Sequence, residues 1–209
     1  MVSGSWNSCG GNQFQALSVG PLRYIATKAG LGIIHKNNFF YTENSSYNTL
    51  VEYVIDKEGE LIQNINLIPC SEKCDLCQRA CKTQALLALY TINPFKYVLF
   101  CITFGNSDIQ EELSAEMFEE WVCGCDNCQD ACSHNCRHHW RDGEPFSNLN
   151  ETATLLSSEN YENLPDEFLI EQVIPKTAGY LQASDVKALR KNAKRSLNYQ
   201  LMHQKKTSK

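Results

Sequence analysis

Two runs of cysteines decide the fold of this chain: Cys70-Ser-Glu-Lys-Cys74-Asp-Leu-Cys77-Gln-Arg-Ala-Cys81 and Cys125-Asp-Asn-Cys128-Gln-Asp-Ala-Cys132. Gaps of two or three residues allow one turn of backbone to direct several thiolates at one point. A [4Fe–4S] cluster requires such a set, because four cysteine sulfurs hold it, and bacterial two-cluster proteins space them C-x2-C-x2-C-x3-C. Both runs end in Cys-x2-Cys-x3-Cys, so the sequence predicts two [4Fe–4S] clusters.

Two other uses of the cysteines are weaker. A disulfide framework is typical of short secreted chains, but Met1-Val-Ser-Gly-Ser-Trp lacks the basic and apolar regions of a signal peptide, and the eleven cysteines are an odd number. Zinc binds paired Cys-x2-Cys elements with nearby histidines, and His134, His138 and His139 follow the second run. Zinc motifs rarely need the third cysteine that both runs contain. We therefore interpret these histidines as part of a polar loop beside a cluster.

The ligands are expected to cross between the runs, because the last cysteine of each bacterial run ligates the other cluster. One ligand remains, from Cys101 or Cys123. Cys123 lies too close to Cys125 to reach the same cluster comfortably, so Cys101 is favoured, and Cys9, Cys123 and Cys136 are expected to be free thiols. The predicted ligands are Cys70, Cys74, Cys77 and Cys132 for the first cluster, and Cys81, Cys125, Cys128 and Cys101 for the second.

Three segments carry a resemblance to a known family. Cys74-Asp-Leu-Cys77-Gln-Arg-Ala-Cys81-Lys-Thr-Gln-Ala-Leu resembles the first cluster run of the epoxyqueuosine reductases. Cys101-Ile-Thr and Gly124-Cys125-Asp-Asn-Cys128-Gln-Asp-Ala-Cys132-Ser-His-Asn135 resemble the family's lone cysteine and second run. Ala29-Gly30-Leu31-Gly32-Ile-Ile-His35-Lys36-Asn37 is similar to its Ala-Gly-Leu-Gly loop, with His35 where a glycine is usual.

The resemblance implies two [4Fe–4S] clusters that feed electrons to a cobalamin, which reduces the epoxide of a modified tRNA base to an alkene. It also implies that Cys101 is the eighth ligand and that Gly30, Leu31 and Gly32 bind the cofactor. From the residues alone, this loop also fits a plain helix-to-strand turn. Members of the family carry a further domain before the loop, with the catalytic acid. Because only some twenty residues precede the matching region, which begins at about Pro21, we expect a shortened paralogue, a gene fragment or one half of a split reductase.

Local patterns predict the elements around the cysteine runs. A helix is expected over Leu22–Ala29, ended by Gly30, since glycine favours the left-handed conformation that follows a helix. The β-rich segments Asn38–Thr42 and Thr49–Ile55 suggest antiparallel strands. Further helices are predicted over Thr83–Tyr90, over the acidic stretch Asp108–Val122, and after an N-cap at Ser184, with an apolar face of Val186, Leu189, Ala193 and Leu197.

Charge is unevenly distributed along the chain. Residues 176–209 contain nine Lys or Arg and one Asp, a net charge of +8, whereas the rest contains ten basic and 23 acidic residues, a net charge of −13. A basic end can bind nucleic acid, so tRNA is a candidate partner of this helix, through Lys187, Arg190, Lys191, Lys194 and Arg195. A solvated helix face is the alternative. No segment approaches the ~20 apolar residues that span a membrane, and the cysteines favour a reducing, cytoplasmic setting.

Together these features predict an α+β protein centred on a ferredoxin-like double-cluster module. We expect a leader over residues 1–20, a remnant of the cofactor-binding domain over 21–68, the cluster module over 69–140, and a connector with the basic helix over 141–209. The first functional hypothesis is an epoxyqueuosine reductase-like oxidoreductase that takes electrons from a ferredoxin or flavodoxin. The second is a non-catalytic electron carrier that docks on a partner enzyme.

Overall fold

The fold is known from a computed structural model that describes residues 21–52, 66–101, 113–136, 154, 157–177 and 181–207. Within these ranges the chain combines short helices with two small antiparallel sheets, which confirms the predicted mixture of helix and strand. The leader and the histidines His138 and His139 lie outside the described residues. No helix in the described part of the chain is both long and apolar enough to cross a bilayer.

The N-terminal part is a helix followed by a hairpin. Helix α1 spans Leu22–Lys28, and its last turn closes through hydrogen bonds from Gly30 N–H to Thr27 O at 3.1 Å and from Leu31 N–H to Ala26 O at 3.0 Å. This Schellman arrangement needs a left-handed residue, and Gly30 has φ of +74°. The predicted helix and its glycine stop are confirmed.

The predicted pairing of the first strands is wrong. Strand β1, Ile33–Ile34, pairs antiparallel with β2, Phe40–Tyr41, so the partner of the Asn38–Thr42 segment comes from the glycine loop. The residues of the other predicted strand that the structure describes, 49–52, are not in a strand, and 53–55 lie outside the described ranges. The tight turn at residues 35–39, where Asn38 has φ of +65°, makes the nearer pairing possible.

The first cysteine run contains helix α2, Leu76–Ala80, and leads into a hairpin. Strand β3, Leu86–Ala88, pairs with β4, Thr91–Ile92, where a helix was predicted over Thr83–Tyr90. Leucine-rich sequence favours a helix by propensity, but the Ala85 N–H donates to Cys81 Sγ at 3.2 Å and the Ala85 carbonyl accepts from Asn93 at 2.8 Å. These two hydrogen bonds occupy the Ala85 N–H and carbonyl, which a helix would use for its own hydrogen bonds. A 3-10 turn follows at Pro94–Lys96.

Three short helices lie before, within and after the second cysteine run. They are α3, Ala115–Phe118; α4, Asn127–Asp130; and α5, Ser133–Cys136. Helix α3 is the part of the predicted Asp108–Val122 helix that the structure describes as helical, and residues 108–112 lie outside its description. Val98, Cys101, Leu113 and Phe118 form a small buried cluster here, with Cys125 packed against it.

The C-terminal region forms the larger hydrophobic core. Helix α6 spans Ser158–Asn163, helices α7 (Asp166–Phe168) and α8 (Ile174–Thr177) flank a π-helical turn, and helix α9 covers Val186–Thr207. Val186, Leu189 and Ala193 are buried in this core, as predicted, and Leu197 is half-buried. The predicted N-cap at Ser184 is wrong, because Ser184 lies inside a 3-10 turn, Ala183–Asp185, that precedes the helix.

Candidate metal centre

The structure brings cysteines of both runs together in a first thiol group: Cys70, Cys74, Cys77 and Cys132. Burial raises the pKa of the Cys70 thiol, and the neighbouring Cys132 and Cys74 raise it further. Burial likewise raises the pKa of Cys77, with contributions from Cys70, Cys132 and Cys74. His35 lies 3.1 Å from Cys70 Sγ, and its ring contacts that of His134, two residues after Cys132, with 4.4 Å between centroids. Cys132 therefore lies beside the first run although it closes the second in sequence.

A second thiol group consists of Cys81, Cys125 and Cys128. Burial raises the pKa of Cys125 to about 11, with a contribution from Cys81. Burial also raises the pKa of Cys128 to about 12, with contributions from Cys125, Cys81 and Cys77. All three line an enclosed cavity whose walls are completed by side chains of the β3–β4 hairpin and of Tyr97 and Val98. Cys81 thus lies with the cysteines of the second run, although it closes the first run in sequence.

Cys101 and Cys123, the two candidates for the eighth ligand, face different parts of the molecule. Cys101 is 3% exposed and belongs to the buried cluster against which Cys125 packs. Its thiol donates towards the Phe95 carbonyl at 3.6 Å. Cys123 instead packs against the C-terminal core. The structure therefore places Cys101 on the side of the second thiol group, and its role as a ligand stays a prediction.

The spacing of the thiols bears on the zinc alternative. In the described ranges, no three His, Cys, Asp or Glu side chains are close enough to share a single metal ion. A tetrahedral zinc site draws its sulfurs to about 2.3 Å from one atom, whereas a [4Fe–4S] cube has four separate iron atoms to be ligated. The feature that favours a cluster over zinc remains the third cysteine that closes both Cys-x2-Cys-x3-Cys runs.

A buried lysine that no sequence motif marks holds the first cysteine run. Lys36 is 4% exposed, and its Nζ donates to the carbonyls of Ser71, Glu72 and Cys74 at 2.7, 2.8 and 2.9 Å. Hydrogen bonds from an ammonium group are stronger than neutral ones. The three carbonyls belong to the loop between Cys70 and Cys74, so Lys36 fixes the part of the run with the irregular three-residue gap.

The residues on either side of Lys36 contact both runs. His35 Nδ1 lies 3.1 Å from Cys70 Sγ, and its ring stacks on Tyr41 with 4.1 Å between centroids. Asn37 Nδ2 donates to the Tyr41 hydroxyl at 2.9 Å and to the Cys128 carbonyl at 3.4 Å. Burial lowers the pKa of His35 to about 4, with His134 adding to the effect. His35 is thus neutral near pH 7.

A second buried polar network anchors the second run. Asn135 Nδ2 donates to Ser46 Oγ at 2.7 Å and to the Gln129 carbonyl at 2.9 Å, and Asn135 Oδ1 accepts from the Ser46 N–H at 2.9 Å. Gln129 Nε2 donates to Asp126 Oδ1 at 2.6 Å, and its Oε1 accepts from Ser46 Oγ at 2.7 Å. The loop after β2 therefore holds the run that supplies cysteines to both thiol groups.

The glycines of the predicted cofactor loop are used by the fold itself. Gly30 closes helix α1, and a Cβ at Gly32 would meet the Tyr41 carbonyl and lie 2.5 Å from Phe40 Cζ. Substitution of Gly32 would therefore disturb the hairpin that carries His35 and Lys36. Leu31 is 62% exposed, so it is the member of the loop that presents a side chain to a ligand. An open cleft of about 640 Å³ lies close by, lined by α1, Phe40 and the 46–50 segment.

Two of the five basic residues predicted to line the solvent side of the C-terminal helix point inward. Arg190 Nε donates to Asp166 Oδ1 at 2.8 Å, and its Nη1 donates to the carbonyls of Tyr161 and Glu162 at 2.9 and 2.7 Å. Arg195 lies over the Phe118 ring, with its Cζ 3.8 Å from the centroid. Lys187, Lys191 and Lys194 are exposed, as predicted.

Comparison with known proteins confirms the resemblance to epoxyqueuosine reductases. The chain is 29% identical to the epoxyqueuosine reductase of Cellulophaga algicola over 157 residues, which cover 73% of this chain and 49% of that protein. It is 29% identical to that of a Synechocystis species over 195 residues, covering 87% and 62%. No protein-family model matches the chain. This chain thus spans between about half and three fifths of the length of these two relatives.

Solved structures show the same fold. The Bacillus subtilis epoxyqueuosine reductase superposes with a TM-score of 0.69 at 21% identity, covering 89% of this chain and 48% of that one. An epoxyqueuosine reductase crystallised with a tRNA stem loop carrying the modified base gives a TM-score of 0.68 at 19% identity, with the same coverage. The match extends over all but a tenth of the chain.

Proposed function

We propose that this chain is the electron-transfer part of an epoxyqueuosine reductase-like oxidoreductase that acts in the queuosine modification of tRNA. The observation that carries the proposal is the proximity of cysteines from the two runs: His35 links the surroundings of Cys70 and Cys132, and Cys81 lines one cavity with Cys125 and Cys128. Two-cluster ferredoxins exchange ligands in this way. The similarity to the curated reductases supports the reaction class.

The two thiol groups fit two [4Fe–4S] clusters in a ferredoxin-like module over about residues 69–140. Cys70, Cys74, Cys77 and Cys132 would hold the first cluster, and Cys81, Cys125, Cys128 and Cys101 the second. When bound, the clusters supply one-electron transfer from a donor such as a ferredoxin or flavodoxin. Lys36 holds the loop that carries the first ligands, and Asn135 holds the run that carries ligands to both.

A cobalamin-type centre is the proposed destination of the electrons. The remnant of the cofactor domain, residues 21–68, would contact it through the exposed Leu31 and the cleft beside α1. Gly30 and Gly32 shape this loop and place Leu31 at the surface. The absence of any corrin absorption after reconstitution, in protein that holds both clusters, would favour the electron-carrier hypothesis instead.

Pairs of cysteine substitutions test the crossed ligands. Anaerobically prepared protein should contain about eight iron and eight sulfide per chain, since each cluster has four of each. Cys132→Ser combined with Cys70→Ser removes two ligands of one cluster and should leave about four iron. Cys132→Ser combined with Cys125→Ser disables both clusters and should leave close to none. Iron and acid-labile sulfide analysis measures both outcomes.

Cys123→Ser is the matched control, because Cys123 packs in the C-terminal core, and it should retain about eight iron. The ligands are not crossed if the Cys125 and Cys132 pair of substitutions retains four iron while the Cys70 and Cys132 pair retains none. Stoichiometric zinc without sulfide, under conditions in which clusters survive, would contradict the proposal as a whole.

The exposed lysines of helix α9 are the proposed contact with tRNA. Binding should weaken as salt rises, because each neutralised phosphate releases counterions, with a log–log slope of about −0.7 per contact on single strands. The combined variant Lys187→Gln, Lys191→Gln and Lys194→Gln should flatten the slope by about 2. Arg190 and Arg195 are left intact, since both have contacts inside the protein.

The measurement is the affinity for a tRNA anticodon stem loop across a salt series. Lys73→Gln provides the control, because Lys73 is exposed on the first cysteine run and its loss should not alter the slope. An unchanged slope in the triple variant would make α9 a solvated helix without a role in tRNA binding.

A further inference from the structure

Polar side chains attach one side of helix α9 to the segment of chain just before the second cysteine run. Asn192 Nδ2 donates to the Val122 carbonyl at 3.2 Å, and Ser196 Oγ donates to the Glu120 carbonyl at 2.9 Å. Both side chains are 1% exposed. Residues three and four apart share a helix face, so Ser196 and Arg195 both lie near the face of Asn192, and Arg195 packs over Phe118 of the same segment of chain.

The guanidinium of Arg195 is buried above an aromatic ring. Its Nε, Nη1 and Nη2 are all shielded from solvent, and none has a partner among the described residues. The cation lies 3.8 Å above the centre of the Phe118 ring. Cation–π attraction accounts for about 2 kcal/mol at a desolvated site, which is small against the desolvation of a full charge. A counter-charge is therefore to be expected nearby.

Cys101 is the candidate for this counter-charge. Cys101 and Phe118 lie in the same buried cluster, with Cys125 packed against them. Because Arg195 lies over the Phe118 ring, its guanidinium is next to the buried cluster that contains Cys101. A guanidinium stays charged in proteins, so Arg195 is a cation near pH 7.

We propose that Arg195 is the charge partner of the second cluster and holds its reduction potential up. The inference rests on the proposed function, since it requires a cluster at Cys81, Cys125, Cys128 and Cys101. Each [4Fe–4S] cluster with four thiolates is an anion that gains a further negative charge on reduction. A fixed cation stabilises the reduced form more, and burial strengthens the effect because few water molecules screen it.

The C-terminal helix would then act on electron transfer from outside the cysteine module. Asn192 and Ser196 fix the position of Arg195, and Arg195 sets the energy of the second cluster relative to the first. Arg195 therefore acts on the second cluster through its charge and is not one of its ligands. It explains why a charged side chain occupies a site where an apolar residue would pack on Phe118 without a desolvation penalty.

The test is a redox titration of the full-length protein, followed by electron paramagnetic resonance. Iron and sulfide are counted first, so that a wild type without clusters refutes the proposed function and not this inference. The signal of the second cluster is assigned in a Cys132→Ser background, which lacks the first. Arg195→Met should lower the ratio of reduced to oxidised second cluster about tenfold at a fixed potential, equivalent to about 59 mV for a one-electron couple.

Two variants separate charge from packing. Arg195→Lys retains the cation and should remain near the wild-type potential, and Lys194→Met removes an exposed charge from the adjacent position and should do the same. The first cluster should not shift in any variant. A wild-type potential in Arg195→Met protein with full iron would overturn the inference.

Loss of the second cluster in Arg195→Met is also informative. Arg195→Gln is then compared with Arg195→Lys. If only the lysine variant keeps the second cluster, and keeps it at the wild-type potential, the charge of residue 195 is required. Loss of the cluster in all three variants would make Arg195 a packing residue and overturn the proposal.

Discussion

Lys36→Met should remove the first cluster and lower the stability of the protein by about 3–5 kcal/mol. Methionine has a similar volume, but it leaves the carbonyls of Ser71, Glu72 and Cys74 without their buried donor. Each hydrogen bond to a charged group contributes about 1.5–3 kcal/mol. Iron should fall from about eight to about four per chain, and the thermal midpoint by about 10 °C or more.

Lys73→Met is the matched control, because Lys73 is exposed in the same loop. It removes the same charge and should retain full iron and a wild-type midpoint. Iron analysis and thermal unfolding followed by circular dichroism provide the two readings. Equal results for both lysine variants would show that the buried ammonium group does not hold the first run.

Asn135→Leu should remove iron from both clusters. The substitution leaves the buried Ser46 N–H without its acceptor, and it removes one of two hydrogen bonds from the Ser46 hydroxyl and from the Gln129 carbonyl. An unsatisfied buried polar group costs about 1–3 kcal/mol, so a loss of about that size is expected. Because the second run supplies Cys125 and Cys128 to one group and Cys132 to the other, iron should drop well below four per chain.

Asn44→Leu makes the same chemical change at an exposed position of the loop after β2, which also contains Ser46. It should leave the iron content unchanged. The contrast with Lys36→Met is equally important, since that variant should spare the second cluster. If Asn135→Leu retained four or more iron, the polar network would be a local feature of the loop and not the anchor of both thiol groups.

The stop of the first helix could be predicted from the sequence, whereas the crossing of the cluster ligands stays a prediction. Gly30 is suited to the left-handed position after a helix. This is a local property, because a few consecutive residues determine it. The apolar face of Val186, Leu189 and Ala193 was predictable for the same reason, since a period of 3.6 residues survives in any context.

The elements that were predicted incorrectly depend on hydrogen bonds between neighbouring segments. The Thr83–Tyr90 segment has the composition of a helix but forms a hairpin, because Cys81 Sγ and Asn93 take the Ala85 backbone groups. The strand at Asn38–Thr42 pairs with the glycine loop, and residues 49–52 of the later segment are not in a strand. In both cases these hydrogen bonds outweigh propensity differences of about 1 kcal/mol or less per residue.

The sequence by itself determined the resemblance and the chemistry of the site: the thiols, their grouping along the chain and the glycine turn. Only the tertiary structure decided which polar residues hold them. Lys36, Asn135 and Arg195 look like surface residues in sequence, yet all three are directed inward: Lys36 and Asn135 contact the cysteine runs, and Arg195 contacts Phe118. No local pattern distinguishes a buried cation from an exposed one, because its environment consists of carbonyls, rings and thiols up to 94 residues away along the chain.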